Sequence, residues 1–131
     1  MKLMKWVTVF AATGTFVMPV LAGEFDGSLP LICATVEARD CVSGAECFGG
    51  TPDEVGAPAF VRIDFEGKTI AGPRRTTPIL LMEQGDHQLL LQGTEIGYAW
   101  AFALDQTSGR FSASLTNLEG AFLLFGSCTA L

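Results

Sequence analysis

The chain has 131 residues, with 14 acidic against 8 basic side chains, a formal charge of −6 and one histidine. That is the size of one domain, long enough to bury a core yet small enough to gain from a covalent staple. A surface this acidic repels phosphate backbones, which argues against nucleic acid as a partner.

At the start of the chain, Lys2 and Lys5 precede an uncharged stretch from Trp6 to Leu21, and Val20-Leu21-Ala22 supplies small residues for a cut after Ala22. A positive start, an apolar stretch and a small-x-small exit are the parts of a secretory signal peptide. The stretch falls short of the roughly 20 residues a spanning helix needs. Thr8, Thr13, Gly14, Thr15 and Pro19 weaken it further as an anchor, and no cysteine stands at the cut. The expected organisation is a signal peptide over 1–22 and one all-β domain over 23–131. The expected location is a bacterial periplasm or the secreted space, with no stable membrane insertion after cleavage.

The four cysteines, Cys33, Cys41, Cys47 and Cys128, all follow the cut. In a small exported domain an even count reads first as disulfides. Three pairings exist. Cys41–Cys47, closing a short glycine-containing loop, and Cys33–Cys128, tying the first strand to the last, are favoured. A loop as long as the second stabilises by about 4–5 kcal/mol in the chain-entropy model.

Leu31–Val36 is the first apolar, β-branched run and reads as a strand. Residues 37–58 read as a long, disulfide-held acidic loop, with room for one short strand or helical turn near Cys47. From Ala59 the pattern alternates. Val61, Ile63 and Phe65 share one face while Arg62 and Asp64 share the other, which marks a half-buried strand. Lys68–Ala71 returns, Gly72–Pro78 is a loop, and strands begin at Ile79 and at His87. Gly93-Thr94-Glu95 reads as the next turn. In Gly97–Leu104 the large residues Tyr98, Trp100, Phe102 and Leu104 fall on one face, and Gly97, Ala99, Ala101 and Ala103 on the other. Phe111–Thr116 and Ala121–Gly126 complete the set. Seven or eight strands with regular turn signals predict an antiparallel meander. A small barrel is preferred to a two-sheet sandwich because closure removes exposed edges.

Candidate chemistry is sparse. His87 beside Asp86 lacks any serine or free thiol in a nucleophile motif, so it reads as an exposed turn histidine. Cys41 and Cys47 lack the close spacing of zinc ligands. Asp53-Glu54 and Glu37, Asp40 and Glu46 carry oxygen ligands without calcium-loop spacing. No metal, cofactor or catalytic constellation is therefore assigned. Arg74-Arg75 is the one basic pair in an acidic chain and is a candidate contact for an anionic ligand or acidic partner. Tyr98, Trp100 and Phe102 read either as core or as a pocket wall. The small-residue face of the same strand leaves ligand space if it points into a barrel. The alternation does not decide which face points inward.

Trp100–Asp105, Gly109, Gly120–Phe122 and Gly126-Ser127-Cys128 together make a strand ending in hydrophobic-Asp, a glycine turn and a terminal Gly-x-Cys. This pattern resembles small exported bacterial β-rich proteins, and the resemblance implies a periplasmic barrel-like domain and no activity. The Ser-Gly-x-x-Tyr stretch of periplasmic lysozyme inhibitors is not found in the sequence, so that function is not assigned. The expected function is a non-enzymatic exported binding module for a small apolar or amphipathic ligand, contacted by Tyr98, Trp100, Phe102, Arg74 and Arg75. The alternative is a protein-binding inhibitor or envelope accessory factor acting on another exported protein.

Overall fold

The computed structural model describes residues 14–17 and 24–131. The expected cut site at Ala22, and nearly all of the expected signal peptide, lie outside the described residues. Within them the chain is all-β, as its period-two patterning predicts. The strands are β1 (Leu31–Val42), β2 (Phe48–Gly50), β3 (Phe60–Asp64), β4 (Thr69–Ala71), β5 (Thr76–Pro78), β6 (Leu81–Gln84), β7 (Gln88–Glu95), β8 (Tyr98–Asp105), β9 (Arg110–Thr116) and β10 (Gly120–Ala130). One helical turn, α1 (Pro52–Val55), follows β2.

Nine strands are hydrogen-bonded in the order β5-β4-β3-β1-β10-β9-β8-β7-β6, with β2 paired to β1 alongside. The pairings are antiparallel throughout. Two meanders therefore meet at a β1–β10 seam that runs from Leu31↔Ala130 to Val42↔Gly120. Cys33 and Cys128 are direct partners in that seam and form a disulfide, with Cα atoms 3.9 Å apart. Cys41–Cys47 is the second disulfide and holds the β1–β2 hairpin. Both pairings are the expected ones.

The ends of the strand order, β5 and β6, are separated in the chain only by Ile79 and Leu80. Ile79 N–H donates to the Lys68 carbonyl at 2.8 Å, while Leu80 N–H donates to the Gln92 carbonyl at 2.9 Å. Adjacent residues thus serve opposite ends of the sheet. The Thr77 hydroxyl adds a bond to the Thr94 carbonyl at 3.0 Å. The sheet curls into a half-barrel whose two ends are drawn together by one stretch of chain.

Three expectations are refined. β1 continues to Val42 through what reads as the start of the 37–58 loop. Its register shifts between Thr35 and Glu37, leaving Val36 71% exposed, and the buried positions change from Leu31 and Cys33 to Ala38. A bulge of this kind breaks the period-two signal without ending the strand. β5 falls in the expected Gly72–Pro78 loop. Finally, β7 runs through Gly93 to Glu95, so the turn is made by Ile96 and Gly97, both at positive φ.

The core concentrates at one end of the half-barrel. Leu31, Ile63, Leu89, Leu91 and Leu104 are fully buried, and Phe65, Phe102, Phe111 and Leu124 pack around them. Burial of each such side chain stabilises by about 1.5–3 kcal/mol relative to exposure. This end also has a floor. Phe25, in the lead-in before β1, packs on the core, and Gly27 lies against Leu89 and Phe65. Gly109, at φ +74, lies directly against the Phe25 ring, where any Cβ would clash. Cys128 N–H donates to the Gly109 carbonyl at 2.7 Å, and Leu131 N–H to the Pro30 carbonyl at 2.9 Å.

Candidate functional site

The other end is open. β1 and β3 pair from Leu31↔Ile63 to Ala34↔Phe60 and hold one more bond, Thr35 N–H to the Ala59 carbonyl at 2.8 Å. Past the bulge, β1 pairs with β2 instead. The residues next to this parting are Gly56-Ala57-Pro58-Ala59, too small to fill it. A cavity of about 620 Å³ results, within the ~300–1,000 Å³ range of small-molecule sites.

Its wall is apolar and comes mainly from β8 and β9. Trp100 and Phe102 line it from β8, and Phe111, Ala113 and Leu115 from β9. The Phe102 and Phe111 rings stack with centroids 4.6 Å apart and close the bottom of the cup. Tyr98 stands nearer the mouth, its ring 6.2 Å from that of Phe122. Trp100 is seated by Gly93, its cross-strand partner. A Cβ there would come within 2.6 Å of the indole Cε2 and 2.8 Å of the Pro78 carbonyl oxygen. The indole Nε1 is buried and has no hydrogen-bond partner, the one such side-chain atom among the described residues. Buried polar groups nearly always find a partner, so this donor is an exception in the packing behind the wall.

The rim is charged. Arg74 and Arg75 sit on the β4–β5 hairpin, whose turn is closed by Gly72 N–H donating to the Arg75 carbonyl at 2.8 Å. Both are exposed and line the cavity. Neither is in an ion pair, since the sole ion pair among the described residues is Arg39–Glu37. Asp53 of α1 and Glu95 at the end of β7 add two carboxylates to the lining. The neighbouring Glu54 accepts the Thr51 N–H at 2.7 Å, and its hydrogen bonds to Thr51 hold its carboxyl below the ordinary range, fixing the α1 turn.

Ile96 completes the rim. It has φ +43 and is 67% exposed. Left-handed backbone costs an L-residue roughly 1–2 kcal/mol, and a β-branched residue there is an outlier. Such strain concentrates at functional sites.

All five residues singled out from the sequence, Tyr98, Trp100, Phe102, Arg74 and Arg75, line this one cavity. The small-residue face of β8 is placed differently from the arrangement that would make ligand space. Ala99 and Ala101 are exposed, because the sheet buries Trp100, Phe102 and Leu104 instead, and of the four small residues Ala101 alone reaches the cavity lining. The space comes from Gly56–Ala59 and Ala113. Their role was hidden because small residues in a loop carry no periodic signal. Asp86 and His87 are exposed in the turn before β7, at the end opposite the cup. Among the described residues no group of three or more His, Cys, Asp or Glu side chains comes together to hold a metal, Glu37, Asp40 and Glu46 included.

No protein-family model, characterised protein or solved structure matches the chain significantly. The two disulfides are compatible with an oxidising extracellular compartment, and no helix among the described residues is long and apolar enough to cross a membrane.

Proposed function

We propose that the protein is an exported binding module, periplasmic or secreted, that holds a small apolar or amphipathic ligand in the cup. The observation that carries this reading is the contrast between a plugged floor and an open aromatic mouth of ligand size. A core packed for stability alone has little reason to leave that volume beside buried aromatic rings. The strained, exposed Ile96 lies on the same cavity and supports the same reading.

Native mass spectrometry of protein purified gently from the exported fraction tests it. The expected result is a mass beginning at Gly23, four hydrogens light for two disulfides, with an adduct lost on denaturation. An adduct-free protein that also fails to take up hydrophobic fluorescent probes removes the proposal. An intact Met1 removes the export part of it alone.

A second reading, a protein-binding inhibitor or envelope accessory factor, draws on another feature. β6 has β7 as its one strand partner, and Leu80, Leu81 and Met82 beside that edge are 65%, 50% and 46% exposed. An open apolar edge is a template for strand addition by a partner. Pull-down from the same exported fraction checks it, with Met82→Lys expected to abolish any capture.

A further inference from the structure

We propose that the cup is selective for anionic amphiphiles, with the apolar body against Trp100 and Phe102 and the anionic head on Arg74 and Arg75. The inference rests on the cup being a ligand site and adds the charge class of the ligand.

The wall excludes a polar head from the interior. Its surfaces are mainly aromatic and aliphatic, with hydroxyls at Thr35 and Ser114 and no charged group among them, and the buried Thr77 hydroxyl is already donating to Thr94. Burying an unpaired charge there is prohibitively costly, so a charged head has to sit at the rim. At the rim Arg74 and Arg75 are consecutive residues of one tight turn, while Asp53 and Glu95 come from separate elements. Guanidinium presents fixed pairs of N–H donors that match carboxylate and phosphate geometry. The rest of the molecule sharpens the point. Its formal charge is −6, and Arg74-Arg75 is the one place where two basic residues adjoin in the domain that follows the expected cut. The unusual local charge thus coincides with the mouth of the apolar cup. Both arginines lack an ion-pair partner, so a ligand's anion displaces water alone and breaks no existing salt bridge.

Isothermal titration calorimetry with matched single-chain probes, each below its micelle concentration, separates the possibilities. The probes are dodecanoate, dodecyl phosphate, dodecanol and dodecylammonium. Dodecanoate or dodecyl phosphate is expected to bind at least tenfold more tightly than dodecanol, and the better of the two names the head group. Arg74→Ala with Arg75→Ala is expected to erase that advantage, so that the anions bind the variant no more tightly than dodecanol binds the same variant. Both arginines are exposed, so the double variant folds as the parent does. Glu95→Gln is expected to tighten the anions severalfold by removing a repulsive neighbour. Equal binding of dodecanol and the anions overturns the charge selectivity while leaving the cup as a ligand site. Tighter binding of dodecylammonium overturns it in favour of Asp53 and Glu95. If none of the four binds, the cup is not a site for single-chain amphiphiles and the inference falls with it.

Discussion

The two ends of the half-barrel are built from the same strands and serve different purposes. At the floor, Leu31, Leu89 and Leu104 meet with no residual space, and Phe25 closes the end from outside. At the mouth the same β8 contributes Trp100 and Tyr98 to a cavity, because β1 has turned away at Val36 and small residues stand in the gap. The floor shows what this chain does when it maximises packing. The mouth departs from that rule through a bulge beside Thr35, a run of small residues and a strained Ile96, gathered around one cavity.

If the floor carries stability, its staples and core should dominate unfolding. Replacing Cys33 and Cys128 by alanine is expected to cost about 4–5 kcal/mol, against about 2 kcal/mol for the short Cys41–Cys47 loop. Urea denaturation of the two double variants measures the gap, and equal losses would contradict the assignment of the seam as the principal tie. Leu104→Ala should cost about 2–5 kcal/mol, because a fully buried side chain leaves a cavity that cannot collapse. Leu115→Ala, half-buried beside existing space, should cost distinctly less while enlarging the cup. Similar losses at the two positions would mean that the mouth is packed core after all.

The floor and the aromatic wall of the cup are legible in the sequence, and the opening that makes the cup is not. Val61, Ile63 and Phe65, Leu89 and Leu91, and Trp100, Phe102 and Leu104 alternate cleanly, and each set is buried or half-buried where the alternation puts it. The seam disulfide follows from one cysteine near each end of the strand series. The mouth depends on what alternation cannot carry. A bulge at Val36 shifts the parity of β1, so a strand of twelve residues reads as one of six followed by a loop. Thr76-Thr77-Pro78 has no apolar periodicity and becomes β5 because β4 offers a partner edge. The inward direction of β8 was open because a face of alanines fits a lumen or a surface equally well. Volume decides it, since Trp100, Phe102 and Leu104 bury far more apolar area than glycine and alanine.

Ile96 sharpens the comparison at smaller scale. If its left-handed backbone is kept for contact with ligand, relieving it should improve stability at the expense of binding. Ile96→Asn, which tolerates that backbone, is expected to stabilise by about 1 kcal/mol. Removal of the exposed sec-butyl group from the rim should weaken ligand retention in the same variant. A stabilised protein with unchanged binding would reduce Ile96 to an inefficient turn residue.

The weakest contrast is electrostatic. Asp105, in the turn above Phe25, accepts N–H groups of Thr107 at 2.8 Å and Ser108 at 3.1 Å, and the hydrogen bonds from Ser108 and Thr107 hold its carboxyl below the ordinary range. Asp26 in the lead-in is lowered likewise, by the Ser28 hydroxyl and N–H. A carboxyl lowered in the folded state binds fewer protons there than in the unfolded chain. Its contribution is therefore complete above the ordinary carboxylate value and is lost as pH falls through the lowered one, below about pH 4. Asp105→Ala should accordingly lower stability at neutral pH, and the difference from the parent should shrink as the solution is acidified through that window. Asp105 is exposed and Asp26 is partly so, and the effect is therefore small and weakens with added salt. A difference that persists unchanged in acid would show that the backbone of the Asp105–Gly109 turn, and not the charge on its first residue, keeps Gly109 seated against Phe25.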